Sequence, residues 1–442
     1  MKKHFKFFIR TYGCRVNQYE SQSIREHWLA LGGEETGSAR DADVILVSTC
    51  AVTAQAVSDA RQDVRHLAAL GAPRLIVAGC AASAEPADFA FPGVSAVIPQ
   101  KSKHALLDVH PLNADKVPGT ESARAYPPFH IHSFVRSRPV VKVQDGCSQG
   151  CAYCIVPLTR GPARSRSAKD VAEEVGRLLD AGYRELTLSG INLRQYHDGG
   201  GHGRDFWALL RHLDGTFAPE WQGRARFRLS SLDPAQVTGA EGLETLERCR
   251  MVCPHLHLSL QSGSPSVLRR MGRSPYSPEG IAGAVTAMQR FWPVMGLGAD
   301  ILMGFPGETD AEVEETLAMV RALPLTYAHV FPYSPRPGTR AAALAGQLDK
   351  HTKQEHASAV RELTEAKRRV FLQKLSSMRV MHVAFDGGGS AHGVNEWYAD
   401  CRMEGGAVPA GHGLVPCEPV RVEDACLAVR HANTEGRTGD GA

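Results

Sequence analysis

Segments typical of buried strands alternate with amphipathic helical segments in the first hundred residues of this 442-residue chain. Three strand segments, "HFKFFIRTYG", "DADVILVSTC" and "PRLIVAGC", are separated by two helical ones, "QYESQSIREHWLALGG" and "TAQAVSDARQDVRHLAALG". Short apolar strands between amphipathic helices are typical of parallel α/β sheets. The alternation therefore predicts an α/β fold whose amino-terminal domain, residues 1–110, is an open parallel β-α-β sheet.

The same alternation returns after residue 138 and continues to about residue 350. Six strand segments occur there, separated by helical stretches: "RPVVKVQ", "YRELTLSG", "FRLSSLD", "HLHLSLQSG", "LGADILMGFPGE" and "YAHVFPYSP". Six strands with about five crossover helices predict a partial (βα) barrel over residues 139–350. Residues 111–138, between the two domains, lose this periodicity and gain proline and histidine, which predicts a linker.

The carboxy-terminal part of the chain has a different pattern. Residues 351–376 are amphipathic and basic, which predicts a single connecting helix. Residues 377–430 contain short strand segments divided by glycines, which predicts a small β-barrel. The polar residues 431–442 are predicted to be disordered.

Three cysteines, Cys147, Cys151 and Cys154, lie within eight residues directly after the first strand of the second domain. Three thiolates leave one iron of a [4Fe–4S] cube open, and an open iron can take the amino and carboxylate groups of S-adenosylmethionine. The C-x3-C-x2-C spacing is similar to the signature of the radical SAM superfamily. A zinc site or three unrelated thiols are the alternatives, but zinc would need a fourth ligand, and none is obvious in this loop.

Three further cysteines, Cys14, Cys50 and Cys80, each follow one predicted strand of the first domain. The carboxyl ends of parallel strands meet at one edge of a sheet, where such folds bind ligands. We therefore expect these thiols to converge. Chance is the alternative, because strand ends accept small residues and free cysteines are often buried.

Composition gives weaker evidence than the motifs about the cellular compartment and the binding partners. No apolar run reaches the roughly 20 residues of a membrane span, and "MKKHFKFFIRTYG" lacks the apolar core of a signal peptide. Eleven cysteines, an odd number, suit a reducing compartment, so we expect a cytoplasmic protein. The net charge of +3 is too mild to identify a nucleic-acid-binding protein.

Four motifs resemble those of the methylthiotransferases of the radical SAM superfamily: "TYGCRVNQYE", "STCAVTAQA", "AGCAASAEP" and "QDGCSQGCAYCIVPLTRGPARSR". The resemblance extends over residues 5–430. It implies an enzyme with S-adenosylmethionine and two [4Fe–4S] clusters, one on Cys147, Cys151 and Cys154 and an auxiliary one on Cys14, Cys50 and Cys80. It also implies that residues 377–430 form a TRAM domain, a module that binds RNA.

The resemblance implies the reaction as well. One S-adenosylmethionine methylates a sulfur at the auxiliary cluster, and another supplies a 5′-deoxyadenosyl radical that removes hydrogen from an unactivated C–H bond. The carbon radical then takes the methylthio group. A radical is needed because C2 of adenine has neither an acidic proton nor a leaving group. The six cysteines are therefore the expected catalytic residues, without a classical base.

Candidate contacts to S-adenosylmethionine lie beside the cysteine loop or at strand ends that face the same mouth of the barrel. They are Tyr153, Ser189, Gly190, Asn192, Gln261, Ser262, Gly263, Gly304 and Glu308. Tyr153 resembles the aromatic residue that superfamily members use beside the adenine, and simple packing is its alternative. For the strand-end residues the alternative is turn geometry, with a helix cap at Thr309.

Arg160, Arg164 and Arg166 follow the cysteine loop and are candidates for substrate binding. Guanidinium groups bind phosphates and carboxylates through paired hydrogen bonds. They could therefore grip the phosphates of an RNA loop or a carboxylate on the modified base. The alternative is a solvated loop before a capped helix.

The opening motif resembles the branch of the family that acts on N6-threonylcarbamoyladenosine at position 37 of tRNA. Three alternatives stay open: isopentenyladenosine at the same position, an aspartate of a ribosomal protein, and a non-catalytic iron–sulfur protein that binds RNA. The expected partners are a tRNA anticodon loop, whose bases can be splayed out, and an electron donor such as flavodoxin or ferredoxin. The protein is expected to be a monomer.

Overall fold

A computed structural model of the chain describes residues 4–71, 74–116, 126–199 and 201–432. The strands of the amino-terminal domain are β1 (Phe5–Thr11), β2 (Gly33–Glu35), β3 (Val44–Thr49), β4 (Arg74–Gly79) and β5 (Ala96–Pro99). Its helices are α1 (Arg15–Ala30), α2 (Ala54–Ala69) and α3 (Cys80–Ala84), and 3-10 helices span Gln100–Leu107 and Pro111–Lys116. The strands form one parallel sheet in the order β2-β1-β3-β4-β5.

The three strands predicted for this domain are β1, β3 and β4, and the parallel sheet is confirmed. All six residues of β3 are buried, as expected for a continuous apolar strand between two layers of helices. Thr53 caps α2 by accepting a hydrogen bond from the N–H of Ala56 at 3.1 Å. The short strands β2 and β5 extend the predicted sheet at its two edges.

The stretch predicted as a linker is packed over residues 126–138, the part of it nearest the second domain. Phe129, Ile131 and Phe134 are buried in the main hydrophobic core. The carbonyl oxygen of Phe129 accepts a hydrogen bond from the Tyr19 hydroxyl at 2.8 Å. The connecting segment is therefore packed against both domains, because an extended segment can bury apolar side chains without helical or strand periodicity.

The central domain has eight strands. They are β6 (Val140–Lys142), β7 (Gln144–Asp145), β8 (Arg164–Ser165), β9 (Glu185–Ser189), β10 (Arg226–Leu229), β11 (His255–Gln261), β12 (Gly296–Met303) and β13 (Tyr327–Pro332). Two parallel sheets, β10-β9-β6 and β11-β12-β13, are joined by the bridges Phe227–Val252 and Leu232–Leu258. The result is a partial barrel in which all six predicted strands occur, while β7 and β8 form a short antiparallel pair beside the cysteine loop.

Helices cover the outside of this barrel. They are α4 (Val156–Thr159), α5 (Ala168–Asp180), α6 (Phe206–Trp221), α7 (Pro234–Thr238), α8 (Ala240–Arg248), α9 (Pro265–Arg270), α10 (Pro278–Met288) and α11 (Asp310–Ala322). The alternation of β11 determines the two faces of the sheet, because successive side chains of a strand point in opposite directions. Leu256, Leu258 and Leu260 join the buried core, which leaves His255 and His257 on the barrel interior.

A long helix and a small barrel complete the chain, as predicted. The elements are α12 (Lys350–Ser376), β14 (Met381–Phe385), β15 (His392–Val394), β16 (Asp400–Met403), β17 (Leu414–Glu423) and β18 (Cys426–His431). The strands close in the order β14-β15-β16-β18-β17, and Leu372 and Leu375 of α12 belong to the core of this barrel. The tail predicted to be disordered begins at residue 431. Its first residue, His431, is the last residue of β18, and residues 433–442 lie outside the described residues.

None of the helices in the described residues is long and apolar enough to span a bilayer.

A buried ion pair fastens the carboxy-terminal barrel to the central one. Glu185 of β9 accepts hydrogen bonds from Arg226 Nε at 2.6 Å and from Arg228 Nε at 2.7 Å. Both arginines also bind the small barrel. Arg226 donates to the carbonyl of His382 at 3.0 Å, and Arg228 donates to that of Asn395 at 2.8 Å. Glu185 therefore fixes the two donors that hold the domains together.

We predict that Glu185→Ala destabilises the protein by about 3–5 kcal/mol, because it leaves two buried guanidinium groups without their carboxylate. The measurement is urea denaturation monitored by circular dichroism. Glu418→Ala, which removes a more exposed partner of Arg430, is the matched control and should change stability by less than about 1 kcal/mol. Equal effects of the two substitutions would contradict the role given to Glu185.

Candidate active site

The loop between β7 and α4 presents the first cysteine triplet. Gly146 has φ +69°, and a Cβ there would lie 2.1 Å from the carbonyl oxygen of Pro162, so only glycine allows this close turn. The N–H of Cys147 donates to the carbonyl of Gly161 at 3.0 Å, and the N–H of Ala152 donates to that of Met271 at 2.7 Å. These bonds hold Cys147, Cys151 and Cys154 as free, half-buried thiols in one loop.

Several N–H donors surround the sulfur atoms of this loop. The backbone N–H of Gln149 lies 3.4 Å from Cys147 Sγ, and Asn192 Nδ2 lies 3.6 Å from the same atom. Arg273 Nη1 lies 4.0 Å from Cys151 Sγ. Such donors stabilise thiolate ligands of iron–sulfur clusters. Without a bound cation, burial and the neighbouring thiols raise the pKa of the Cys154 thiol to about 12.

The second triplet lies at the carboxyl edge of the amino-terminal sheet. Cys14 precedes α1, Cys50 follows β3, and Cys80 begins α3. A Cβ on Gly13, whose φ is +85°, would lie 2.3 Å from the Cβ of Cys50, so glycine lets these two loops meet. Burial, together with the neighbouring thiols of Cys14 and Cys50, raises the pKa of the Cys80 thiol to about 11. The three thiols therefore lie close enough to repel one another as thiolates.

The sulfur atoms of each triplet are not all as close together as the ligands of one zinc ion. Thiolates on one zinc ion lie about 3.8 Å apart, because each Zn–S bond is about 2.3 Å. Within the described ranges, neither triplet has its three sulfur atoms all within 4.8 Å of one another. Each triplet is free of disulfides and offers three ligands, which fits a four-iron cube with one iron open to another ligand.

A buried group of five charged side chains, the Glu20 network, adjoins both triplets: Glu20, Lys103, Lys142, Asp145 and Arg160. Glu20 accepts from Lys103 at 3.0 Å and from Lys142 and Arg160 at 2.8 Å each. Lys142 and Arg160 also bind Asp145, at 2.8 and 2.9 Å. Burial alone would raise the pKa of Glu20, but the three cations hold it well below its ordinary value.

The arginines predicted to bind substrate have internal partners instead. Arg160 is 2% exposed and belongs to the Glu20 network, and Arg166, also 2% exposed, pairs with Glu174 at 2.9 Å. Arg164 is half-buried and donates to the carbonyl of Arg160 at 3.3 Å. The prediction of solvent-facing phosphate contacts was wrong for Arg160 and Arg166, because carboxylates from α1 and α5 reach them inside the protein.

Some of the predicted S-adenosylmethionine contacts do lie beside the first triplet. Asn192 Nδ2 donates to Gln149 Oε1 at 3.0 Å next to Cys147, and its backbone N–H donates to Gln144 Oε1 at 2.8 Å. A Cβ on Gly190 would lie 2.9 Å from the Gln144 side chain. Ser189 is buried at the end of β9, where its carbonyl accepts from the N–H of Val143 at 2.9 Å.

Tyr153 and Gln261 have features of functional positions. Tyr153 packs against a buried cluster that contains Phe305 and Tyr333, and burial beside Cys151 raises the pKa of its hydroxyl. Gln261 ends β11 with φ +67°, a left-handed conformation that is strained for a residue with a side chain. Arg273, which contacts both Cys151 and Asp233, has no sequence signal beyond its basic neighbours.

The other four predicted contacts, Ser262, Gly263, Gly304 and Glu308, have hydrogen bonds within the protein. Ser262 and Gly263 both contact α11 through Thr316 Oγ1, at 3.2 and 3.0 Å. Glu308 accepts from the N–H of Gly304 and lies 3.3 Å from His356 of α12. The cap at Thr309 is confirmed, and its side chain and that of Glu312 form a capping box at the start of α11.

The interior of the central barrel is polar. Asp300 of β12 lies 3.0 Å from His257 and 3.4 Å from His329, on the two neighbouring strands. The Tyr327 hydroxyl lies 2.9 Å from ring nitrogens of both His255 and His257. The spacing of the histidines in "HLHLSLQ" is the sequence signal for this polar face.

The other two domains complete this interior. Tyr398, from the loop between β15 and β16, stacks on His255 with ring centres 4.7 Å apart and has φ +66°. Arg15, the residue after Cys14, donates to the Tyr398 hydroxyl at 2.7 Å. The guanidinium group of Arg228 lies 5.1 Å from the centre of the Tyr398 ring. All three domains therefore contribute side chains to one polar chamber beside the auxiliary triplet.

Comparisons with known proteins agree with this arrangement. Residues 6–97 match the uncharacterized protein family UPF0004, and residues 141–320 match the radical SAM superfamily. A solved radical S-adenosylmethionine methyltransferase, TsrM from Kitasatospora setae, shares the fold at a TM-score of 0.54 and 14% identity, over 75% of this chain and 77% of that chain.

Three curated relatives are similar over most of the chain. A threonylcarbamoyladenosine tRNA methylthiotransferase of Bacillus subtilis is 34% identical, over 81% of this chain and 80% of the relative. The protein of that name in Chlamydia pneumoniae is 36% identical, over 76% of each chain. A tRNA-2-methylthio-N6-dimethylallyladenosine synthase of Roseobacter denitrificans is 34% identical, over 78% and 79%.

We predict that Gly298→Ala disrupts the barrel interior, because its Cβ would lie 2.3 Å from the Tyr327 hydroxyl and 2.5 Å from His257 Nδ1. The expected loss of stability is about 1–3 kcal/mol, measured by thermal unfolding. Gly283→Ala, in α10 with open space around its Cβ, is the matched control and should stabilise by about 0.5–1 kcal/mol. A neutral Gly298→Ala would show that the two rings are not held as described.

Proposed function

The chain belongs to the radical SAM methylthiotransferases, and we propose that it adds a methylthio group to C2 of N6-threonylcarbamoyladenosine at position 37 of tRNA. Enzymes of this family use S-adenosylmethionine and two [4Fe–4S] clusters. Identity does not separate the branches, because the relatives named for threonylcarbamoyladenosine and for dimethylallyladenosine are 34–36% and 34% identical. The substrate assignment therefore depends on the polar side chains of the barrel interior.

Cys147, Cys151 and Cys154 would hold the cluster that binds S-adenosylmethionine, and Cys14, Cys50 and Cys80 would hold the auxiliary cluster. The support is three free thiols in each place, with N–H donors around the first set. Bound there, these groups supply the one-electron chemistry that removes hydrogen from an unactivated carbon and the sulfur that replaces it. Adenine C2–H has no acidic proton, so the protein's own task is to bind and orient the base.

The polar chamber favours a substrate that forms hydrogen bonds. A threonylcarbamoyl group carries a carboxylate, a hydroxyl and ureido N–H groups, whereas a dimethylallyl group is a hydrocarbon. A hydrocarbon would displace water from Asp300, His257 and His329 without replacing its hydrogen bonds, which is costly. This polarity is the observation that carries the proposal.

Arg15 is the side chain that we assign to the substrate carboxylate. One of its terminal nitrogens, Nη2, is bound by Tyr398, and no described residue accepts a hydrogen bond from Nε or Nη1. A guanidinium group with free donors can bind a carboxylate through two parallel hydrogen bonds. The neighbouring cysteine, Cys14, would place the auxiliary cluster beside the same base.

The proposed reaction can be tested on tRNA. In a host that lacks its own tRNA methylthiotransferases of both branches, expression of the intact gene should produce 2-methylthio-N6-threonylcarbamoyladenosine in tRNA, measured by mass spectrometry of nucleosides. Cys50→Ala should abolish the product. If 2-methylthio-N6-isopentenyladenosine appears instead, the substrate assignment is wrong and the chemistry stands. Unmodified tRNA would contradict both.

The second prediction tests the cluster assignment. After anaerobic reconstitution the protein should contain about eight irons, and Cys50→Ala and Cys151→Ala should each retain about four, because each triplet holds one cube. The measurement is iron and sulfide analysis with absorption spectroscopy. Cys253→Ala, which removes a buried thiol outside both triplets, should keep the full iron content. Loss of all iron in either single variant would contradict two independent sites.

The third prediction tests the role of Arg15. Arg15→Gln should lower kcat/KM for threonylcarbamoyl-modified tRNA by about 10- to 100-fold, the value of a charge-assisted hydrogen bond, while iron content stays unchanged. Arg10→Gln, an exposed arginine of β1 that pairs with Asp63 at 3.4 Å, is the control and should keep full activity. An unchanged kcat/KM in Arg15→Gln would contradict the carboxylate contact.

A further inference from the structure

The Glu20 network has more positive than negative charge. Lys103, Lys142 and Arg160 are cations, and Glu20 and Asp145 are the two carboxylates that bind them. The Lys103 Nζ atom has three acceptors, Asn17, Glu20 and Ser48, at 2.6, 3.0 and 2.7 Å, which is the pattern expected of an ammonium group. One positive charge is therefore left over, in a region shielded from water.

A buried excess charge is expensive unless another charge compensates for it. A cluster with three thiolates is such a partner, because three negative ligands outweigh the positive charge of an oxidised [4Fe–4S] core. The network and the auxiliary triplet are close to one another. Gln100 spans them: its Oε1 lies 4.0 Å from Cys80 Sγ, and its Nε2 donates to Glu20 Oε2 at 2.9 Å.

The network uses only one nitrogen of the Arg160 guanidinium group. Nη1 donates to Glu20 at 2.8 Å and to Asp145 at 2.9 Å. Nη2 is fully buried, and no acceptor for it exists among the residues that the structure describes. Buried guanidinium N–H groups are normally bonded, so an unbonded one indicates a missing partner. Apart from Glu20 and Asp145, the groups that act electrostatically on Arg160 include the thiols of Cys80 and Cys14.

We propose that Arg160 is a positioning residue for the auxiliary cluster, and that its unbonded Nη2 donates a hydrogen bond to a sulfur atom of that cluster. The inference rests on the proposed placement of this cluster on Cys14, Cys50 and Cys80. Hydrogen bonds and positive charge near the sulfur atoms favour the reduced, more negative form of a cluster. Arg160 therefore raises the reduction potential of the auxiliary cluster.

The position of Arg160 also links the two clusters. The residue follows Cys154 by six positions, and its partner Asp145 precedes Cys147 by two. One side chain that follows the radical SAM loop thus binds Glu20 of the domain that carries the other triplet. Arg160 and Lys142 both bind Glu20 and Asp145, so this network fixes the first domain relative to the radical SAM loop.

The test isolates the auxiliary cluster by replacing Cys147, Cys151 and Cys154 with alanine in the full-length protein. This parent should retain about four irons. Its midpoint potential, measured by redox titration with electron paramagnetic resonance, is then compared with that of the parent carrying Arg160→Gln or Arg160→Lys. Arg160→Gln should shift the potential to more negative values, and Arg160→Lys, which keeps the charge but loses the second donor, should shift it less.

Arg166→Gln in the same parent is the matched control. Arg166 is equally buried and also ion-paired, but its partners are Glu174 and Tyr19, so the potential should not change. Equal potentials for the parent and both Arg160 variants would overturn the inference. If Arg160→Gln does not fold, the potential of Arg160→Lys is compared with that of the parent, and equal potentials overturn the inference. A parent without iron would instead overturn the cluster placement, which keeps the two failures distinct.

Discussion

The ion pairs of Glu20 are the constraint on which the rest of the structure depends. This carboxylate from α1 of the first domain is completely buried, and it stays ionised because Lys103, Lys142 and Arg160 surround it. Lys103 belongs to the first domain, and the other two cations belong to the second. A buried charge tolerates little displacement of its partners, since each unpaired ion in a low dielectric costs several kcal/mol. The network therefore holds the sheet edge with Cys80 in a fixed position relative to the loop with Cys147.

The auxiliary triplet also adjoins the polar chamber. The first triplet lies in the loop after β7. Cys14 of the second triplet lies next to Arg15, which donates a hydrogen bond to Tyr398 inside the central barrel. The carboxy-terminal barrel is part of the chamber as well as a separate module, because Tyr398 stacks on His255 while Glu185 secures its attachment. Side chains of all three domains therefore meet in the polar chamber.

The sequence predicted what local patterning determines. Continuous apolar strands such as β3, the alternation in β11 and the glycine-divided strands of the last barrel all identified their elements, and the cysteines identified the strand ends that converge. Contacts between distant segments were not predictable. Nothing near Arg160 or Arg166 in the sequence reveals that Glu20 and Glu174 lie against them. The packing of residues 126–138 was missed for the same reason, because burial of Phe129 and Ile131 depends on the surface that α1 provides and not on their own spacing.

The central claim is that both triplets hold clusters and that the Glu20 network fixes their position relative to one another. The most direct measurement is the magnetic interaction between the two clusters in the fully reduced protein, by electron paramagnetic resonance. The account predicts a spectrum broadened or split relative to the sum of the spectra of Cys50→Ala and Cys151→Ala, each of which has one cluster. A spectrum identical to that sum would show two isolated clusters and would contradict the fixed proximity of the two clusters.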